Sequence, residues 1–147
     1  MKVRVTRLRP DVELPVYKTP GSAGFDLAAA ETLTVAPGAH AFVPTGLVIQ
    51  TPEQHVLFLT ARSSLFTKKG LVLANGIGTI DSDFRGPNDE IMIIVRNPGT
   101  APIQIDKGER LVNAIILPFV HAEFEEGAAD APDRGGFGST GGYAAQV

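Results

Sequence analysis

The chain has 147 residues, 44% of them hydrophobic, a formal charge of −3 and no cysteine. That length suits a single domain able to bury a proper core. The mild acidity argues against a protein that coats nucleic acid, and the missing cysteines exclude disulfides and thiolate metal sites.

The opening "MKVRVTRLRP" lacks the apolar stretch of a signal peptide, and no run approaches membrane-spanning length. A soluble, cytoplasmic protein is expected, with neither nucleic acid nor membrane as partner. Strand signals then dominate. "KVRVTRL", "HAFVPTGLVIQT", "HVLFLTA", "GLVLAN", "EIMIIVRN", "APIQID" and "RLVNAIILPFV" are short, apolar or β-branched, and separated by turn residues. Pro37-Gly38, Asn97-Pro98-Gly99 and Lys107-Gly108 punctuate them. The spacing predicts an all-β fold, a sandwich or closed barrel, with at most one short helix. That helix is expected over "SSLFTKKG", 63 to 70, entered through a serine cap and ended by Gly70.

Two runs are apolar on both faces: "EIMIIVRN", with Ile91, Ile93 and Val95 on one side and Met92 and Ile94 on the other, and "LVNAIILPFV". Either a subunit interface or a two-layer core would cover the surplus. After Val120 the chain turns acidic and alanine-rich, then runs into "RGGFGSTGGYAAQV". A disordered tail is one reading. The other is a ligand-ordered strap, because glycines let backbone N–H groups approach an anion beside an aromatic ring and two hydroxyls. The domain expectation is thus a β-barrel over 1–120 and a C-terminal arm over 121–147.

The three histidines, His40, His55 and His121, form no ligand-spaced pair, so a metal should be a hard, oxygen-bound cation such as magnesium. "SAGFDLAA" places Asp26 after a permissive glycine. "ARSSLFTKKG" sets Arg62, Ser63 and Ser64 at a strand-to-helix corner suited to phosphate oxygens. In "GTIDSDFRG", alternation would put Asp81 and Asp83 on one side of an extended segment. Each feature also has a plain structural reading: Asp26 as a turn cap, Arg62 in an ion pair, Ser64 as a helix cap.

In this order the stretches "AGFDL", "RSSL", "GTIDSDFRG", "GERLVN" and "GGFGSTG" resemble those of the homotrimeric deoxyuridine triphosphatases, the dUTPases. The resemblance spans residues 23 to 141. It implies a trimer of jelly-roll β-barrels with active sites shared by subunits, hydrolysing dUTP to dUMP and pyrophosphate with Mg2+. Such an activity limits uracil in DNA and supplies dUMP for dTMP synthesis. By carry-over, Asp81 activates the water that attacks the α-phosphorus, and Asp26 orients magnesium through its water shell. Ser63 and the amides near Ser64 grip phosphates, with Arg62 organising that pocket. Asn75 and the backbone of Gly78, Thr79 and Ile80 read uracil. The tail of another subunit brings Phe137 and Gly138 over the base and Ser139 and Thr140 to phosphate.

The sequence departs from the family pattern at four places. Phe84 stands where tyrosine is usual under the deoxyribose, and "RGPNDE" carries extra polar residues. Asn113 replaces a glutamine whose amide reaches phosphate, so a bridging water is expected there. Arg134 lies three residues before Phe137 rather than five, which weakens its assignment as a γ-phosphate ligand. Asp83 is expected at a hairpin tip or interface. Two rivals are a dCTP deaminase, alone or bifunctional, and a non-catalytic dUTP-binding module. The deaminases place a general-base glutamate where this chain has Ile94.

Overall fold

The computed structural model describes residues 1–136, so Phe137, Gly138, Ser139 and Thr140 lie outside the described residues. In chain order the elements are β1 (Arg4–Arg7), β2 (Phe25–Ala28), β3 (Leu33–Val35), β4 (His40–Pro44), β5 (Leu47–Gln50) and β6 (His55–Ala61). There follow α1 (Ser63–Lys69), β7 (Val72–Leu73), β8 (Gly78–Ile80), β9 (Met92–Arg96), β10 (Ile103–Ile105) and β11 (Arg110–Pro118). The chain is all-β with one short helix, as expected. Its strands form four antiparallel sheets, β1-β5, β10-β3, β2-β11-β6-β8 and β4-β9-β7, and no closed barrel is found among the described residues. Nor does any described helix have the length and apolarity to cross a membrane.

The sheets share one core. Leu27, Val43, Ile49, Leu57, Ile93, Ile105 and Leu111 are all essentially inaccessible, each 0–1% exposed. Alternation explains β9: Ile93 and Val95 point inward with Ile91 before them, while Met92 and Ile94 remain half-buried. Likewise Val112 and Ala114 of β11 are buried, whereas Ile115 is partly open and Leu117 is exposed. The inward rows make the core, and the outward apolar rows are only partly covered within one chain.

Two expectations about continuity fail for local reasons. The run "HAFVPTGLVIQT" is two strands in two sheets, broken where Gly46 takes φ 68°, a left-handed value that favours glycine. The break is held by Glu90, whose carboxylate accepts the Gly46 N–H at 2.6 Å, and by Thr45, whose hydroxyl donates to the Ile91 carbonyl at 2.7 Å. The strands flanking "GTIDSDFRG" do not form a hairpin either. β8 pairs with β6, while β9 pairs with β4 and β7, so residues 81–91 cross between sheets.

The helix has the expected end and a different start. Gly70 at φ 76° closes it, its N–H bonding to the Phe66 carbonyl and that of Leu71 to Leu65, the paired reverse bonds of a glycine-terminated helix. The cap position, however, is Arg62, with extended backbone and no side-chain cap bond. Ser63 and Ser64 are the first residues inside the helix, so the predicted serine cap is absent.

Asn97 knots the turn region. Wholly buried, its Nδ2 donates to the carbonyls of Val35 (3.0 Å) and Ala101 (2.8 Å), and its Oδ1 accepts the Gly99 N–H at 2.9 Å. Asn97→Ala should therefore cost about 2–3 kcal/mol, because buried polar groups lose their partners. Urea unfolding checks this, and a loss under about 0.5 kcal/mol would show that the amide network contributes little.

Candidate active site

A polar cluster forms where β2, β11 and the end of β6 meet. Strand register sets Asp26 opposite Asn113 and Asn113 opposite Thr60, so the three share the outward face of the sheet. Arg62 follows β6 and directs Nε to Asp26 Oδ1 at 3.2 Å; Arg110 directs Nη1 to Asp26 Oδ2 at 3.1 Å. Arg62 also donates through Nη1 to the Arg110 carbonyl at 3.2 Å. The Asp26 side chain is only 12% exposed, and each of its oxygens has its own guanidinium. Two guanidinium charges against one carboxylate leave the cluster net positive, a local field that favours a phosphate-bearing ligand.

Ser63 and Ser64 start α1 beside this cluster, with Ser63 exposed and Ser64 partly open. Backbone N–H groups in a first helical turn have no intrahelical acceptor, so hydroxyls and amides are presented together. The interpretation of Gly24 changes. It is not among the glycines with positive φ. It is needed for space, since a Cβ there would lie 2.2 Å from Asn113 Oδ1 and 2.7 Å from the Ala114 carbonyl.

Sequence reasoning missed Arg110 as a site residue. On a regular strand, Arg110 and Asn113 would face opposite sides. The register shift between Arg110 and Val112, where β11 pairs with β2, removes that parity and lets Arg110 reach Asp26. The "GER" of the fourth motif was the available signal, but alternation alone pointed the wrong way.

The second group lies at the far edge of the same sheet. Asn75 and Gly78 line a small hollow together with Met92, which the sequence reading did not single out. Gly78 is buried against Leu59, and an added Cβ would sit 3.0 Å from the Leu59 Cβ. Thr79 is exposed and Ile80 partly open. Asp81 lies just beyond the strand, exposed, its carbonyl accepting the Phe84 N–H at 3.2 Å, and the Asp83 carbonyl accepts the Arg85 N–H at 2.9 Å. The segment is a turn, so strand alternation does not relate Asp81 to Asp83. Phe84 is 40% exposed. The extra polar residues close a tight turn, in which Asp89 accepts the Gly86 N–H at 2.6 Å. Arg134 is exposed in a stretch without helix or strand.

The two groups are not brought together within one chain. β2 and β8 are the opposite edges of the sheet, three strand spacings or about 14 Å apart. The Asp26 row meets β6 at Thr60, whereas Ile80 pairs with Leu57, three residues along that strand. A cleft of about 450 Å³ runs beside β2 under residues 11–18 and includes Asp26 and Arg110 but not Asp81.

Among the described residues no three histidine or acidic side chains converge on a point. With one carboxylate already ion-paired, the donor set does not build a resident metal cage. It does fit a magnesium ion arriving on phosphates, which keeps most of its water shell and needs one carboxylate near that shell.

Fold and cluster together define an all-β protein with a net positive corner beside the start of α1. Residues 11–141 match the family model described as dUTPase. The deoxyuridine 5'-triphosphate nucleotidohydrolase of Desulfitobacterium hafniense is 44% identical, the match covering 96% of this chain and 97% of that protein. The crystal structure of dUTPase from Streptococcus mutans superposes with TM-score 0.77 at 34% identity, covering 84% of this chain and all of that one. A mutant dUTPase from phage phi11 of S. aureus, whose structure reveals the coordination of a structural Mg(II) ion, has TM-score 0.80 over 88% of this chain and 99% of its own. At 22% identity it supports the fold alone. The chain belongs to the dUTPase family.

Proposed function

We propose that the protein hydrolyses dUTP to dUMP and pyrophosphate at sites shared between copies of the chain in a homotrimer. The observation that carries this reading is the cluster of Asp26, Arg62 and Arg110 beside the hydroxyls of Ser63 and Ser64, a corner built to receive a polyphosphate. Asp81 stands at the other end of the sheet, too far along the register to serve the same triphosphate within one chain. A second copy supplies it. The outward apolar residues Phe58, Ile115 and Leu117, left partly or fully open by a single chain, are suited to such an assembly.

In this mechanism Asp81 accepts a proton from water as the water oxygen bonds to the α-phosphorus. The bond from that phosphorus to the bridging oxygen breaks, and pyrophosphate leaves with the electron pair. Arg62, Ser63 and the amides near Ser64 hold the phosphates and stabilise the charge that develops on them. Magnesium, when bound, masks triphosphate charge, and Asp26 would hold it through water. Asn75, Gly78, Thr79 and Ile80 read uracil, and a pocket with edge groups paired to uracil leaves them unpaired with cytosine. Phe84 packs under the sugar. Residues 121–147 act as an arm whose Phe137, Gly138, Ser139 and Thr140 complete another copy's site, with Arg134 an auxiliary contact. Action in the cytoplasm, where free nucleoside triphosphates are found, would limit uracil in DNA and supply dUMP for dTMP synthesis.

Deamination is disfavoured by Ile94, which sits half-buried on β9 opposite Phe42 where that chemistry needs a carboxylate. The deciding experiment gives the protein dUTP or dCTP with magnesium and follows pyrophosphate, ammonia and binding. Pyrophosphate release is expected. Ammonia from dCTP would favour the deaminase, and tight dUTP binding without turnover a binding module. The chain cut after Gly136 should still assemble but lose most turnover in the same assay; full activity would show the arm to be dispensable.

A further inference from the structure

The side chain of Asn113 lies against Asp26 of β2 and against Gly24 just before it. Its Nδ2 faces Asp26 Oδ1 at 3.4 Å, a long contact but the only sense in which an amide can face a carboxylate attractively. Its Oδ1 lies over Gly24, so close that a methyl group there would come within 2.2 Å. The backbone is fixed as well, for Asn113 is paired on both sides in the middle of the sheet, and its carbonyl accepts the Thr60 hydroxyl at 3.3 Å. An amide one methylene shorter than glutamine, turned to β2, is spent on Asp26 rather than on a phosphate.

We infer that Asn113 is a positioning residue that acts through Asp26, and that Gly24 provides the space that permits it. Asp26 needs such a brace. Arg62 and Arg110 pull on separate oxygens and are themselves 30% and 42% exposed, so an arriving polyphosphate competes for both guanidinium groups. Once they turn toward phosphate, the amide of Asn113 is the donor that keeps the carboxylate in place. This inference rests on the dUTP-hydrolysis reading and refines it.

A double-mutant cycle tests it, because residues that act through one another are non-additive. Asn113→Ala is made in the wild-type chain and in Asp26→Asn, with Asp26→Ser as the second background should the asparagine variant fold poorly. Two quantities are read: turnover of dUTP, and affinity for a dUTP analogue with an imido group between the α- and β-phosphorus, with magnesium and with chelator. Alone, Asn113→Ala should weaken magnesium-dependent analogue binding by about 10-fold, the usual scale for one hydrogen bond to a charged group. In the Asp26-substituted chain the same change should shift binding by less than about 2-fold. An equal loss in both backgrounds would mean that Asn113 touches the nucleotide directly, and no loss in the wild-type background would mean that it does not brace Asp26; either overturns the inference while leaving dUTP hydrolysis standing. A wild-type chain that neither binds the analogue nor turns over dUTP overturns both.

Discussion

Asp81→Asn should reduce dUTP turnover by about 10³-fold, within the range for loss of a positioned general base. The substitution keeps shape and removes the proton acceptor. Because Asp81 is exposed and its part in the local turn is played by its backbone carbonyl, the fold should tolerate the change. The thermal midpoint should move little, and affinity for the imido analogue should change by less than about 3-fold, since uniform binding is not what the base supplies. A variant retaining more than a tenth of wild-type turnover would remove the base assignment.

The second prediction tests the division of the site between copies. Asp26→Asn and Asp81→Asn proteins should each be nearly inactive, and remixing them after mild unfolding should restore activity. In a random assembly, a competent site needs Asp81 from one copy and Asp26 from a different one. At equal mixing roughly a quarter of the sites meet that condition, so about a quarter of wild-type activity is expected. If all the groups came from a single chain, mixing two defective chains could not repair either, and activity would stay at the level of the parents. Melting curves of the Asp26 variant control for instability, since its partly buried ion pairs are lost.

The sequence was most legible where the apolar runs were long. β6, β9 and β11 could be read from their apolar and β-branched residues, and their inward rows form the core. β2, β3 and β8 were not anticipated, because strands of three or four residues between glycines and alanines carry too little pattern to detect. The reading of 40–51 as one strand failed at a single backbone angle, that of Gly46, which no hydrophobic pattern encodes. The site divides in the same way. Asp26, Arg62 and Ser63 could be named from motif chemistry, and the structure brings Asp26 and Arg62 together with Ser63 beside them. Arg110 could not, because the irregularity in β11 changes which face it serves. The contact of Asn113 with Asp26 was not legible either, because it depends on the room above Gly24 rather than on spacing.

The order β2-β11-β6 has a kinetic consequence. The strand that joins the Asp26 edge to the Arg62 edge is the last one in the described chain, so during synthesis the two halves of the phosphate corner have no common neighbour until residues 110–118 leave the ribosome. Nascent chains ending earlier leave β2 unpaired and the β11-facing edge of β6 open to wrong partners. Productive closure must therefore wait until β11 has emerged, and a ribosome stalled before Arg110 should display a protease-sensitive chain, however many of the preceding motifs it has already made.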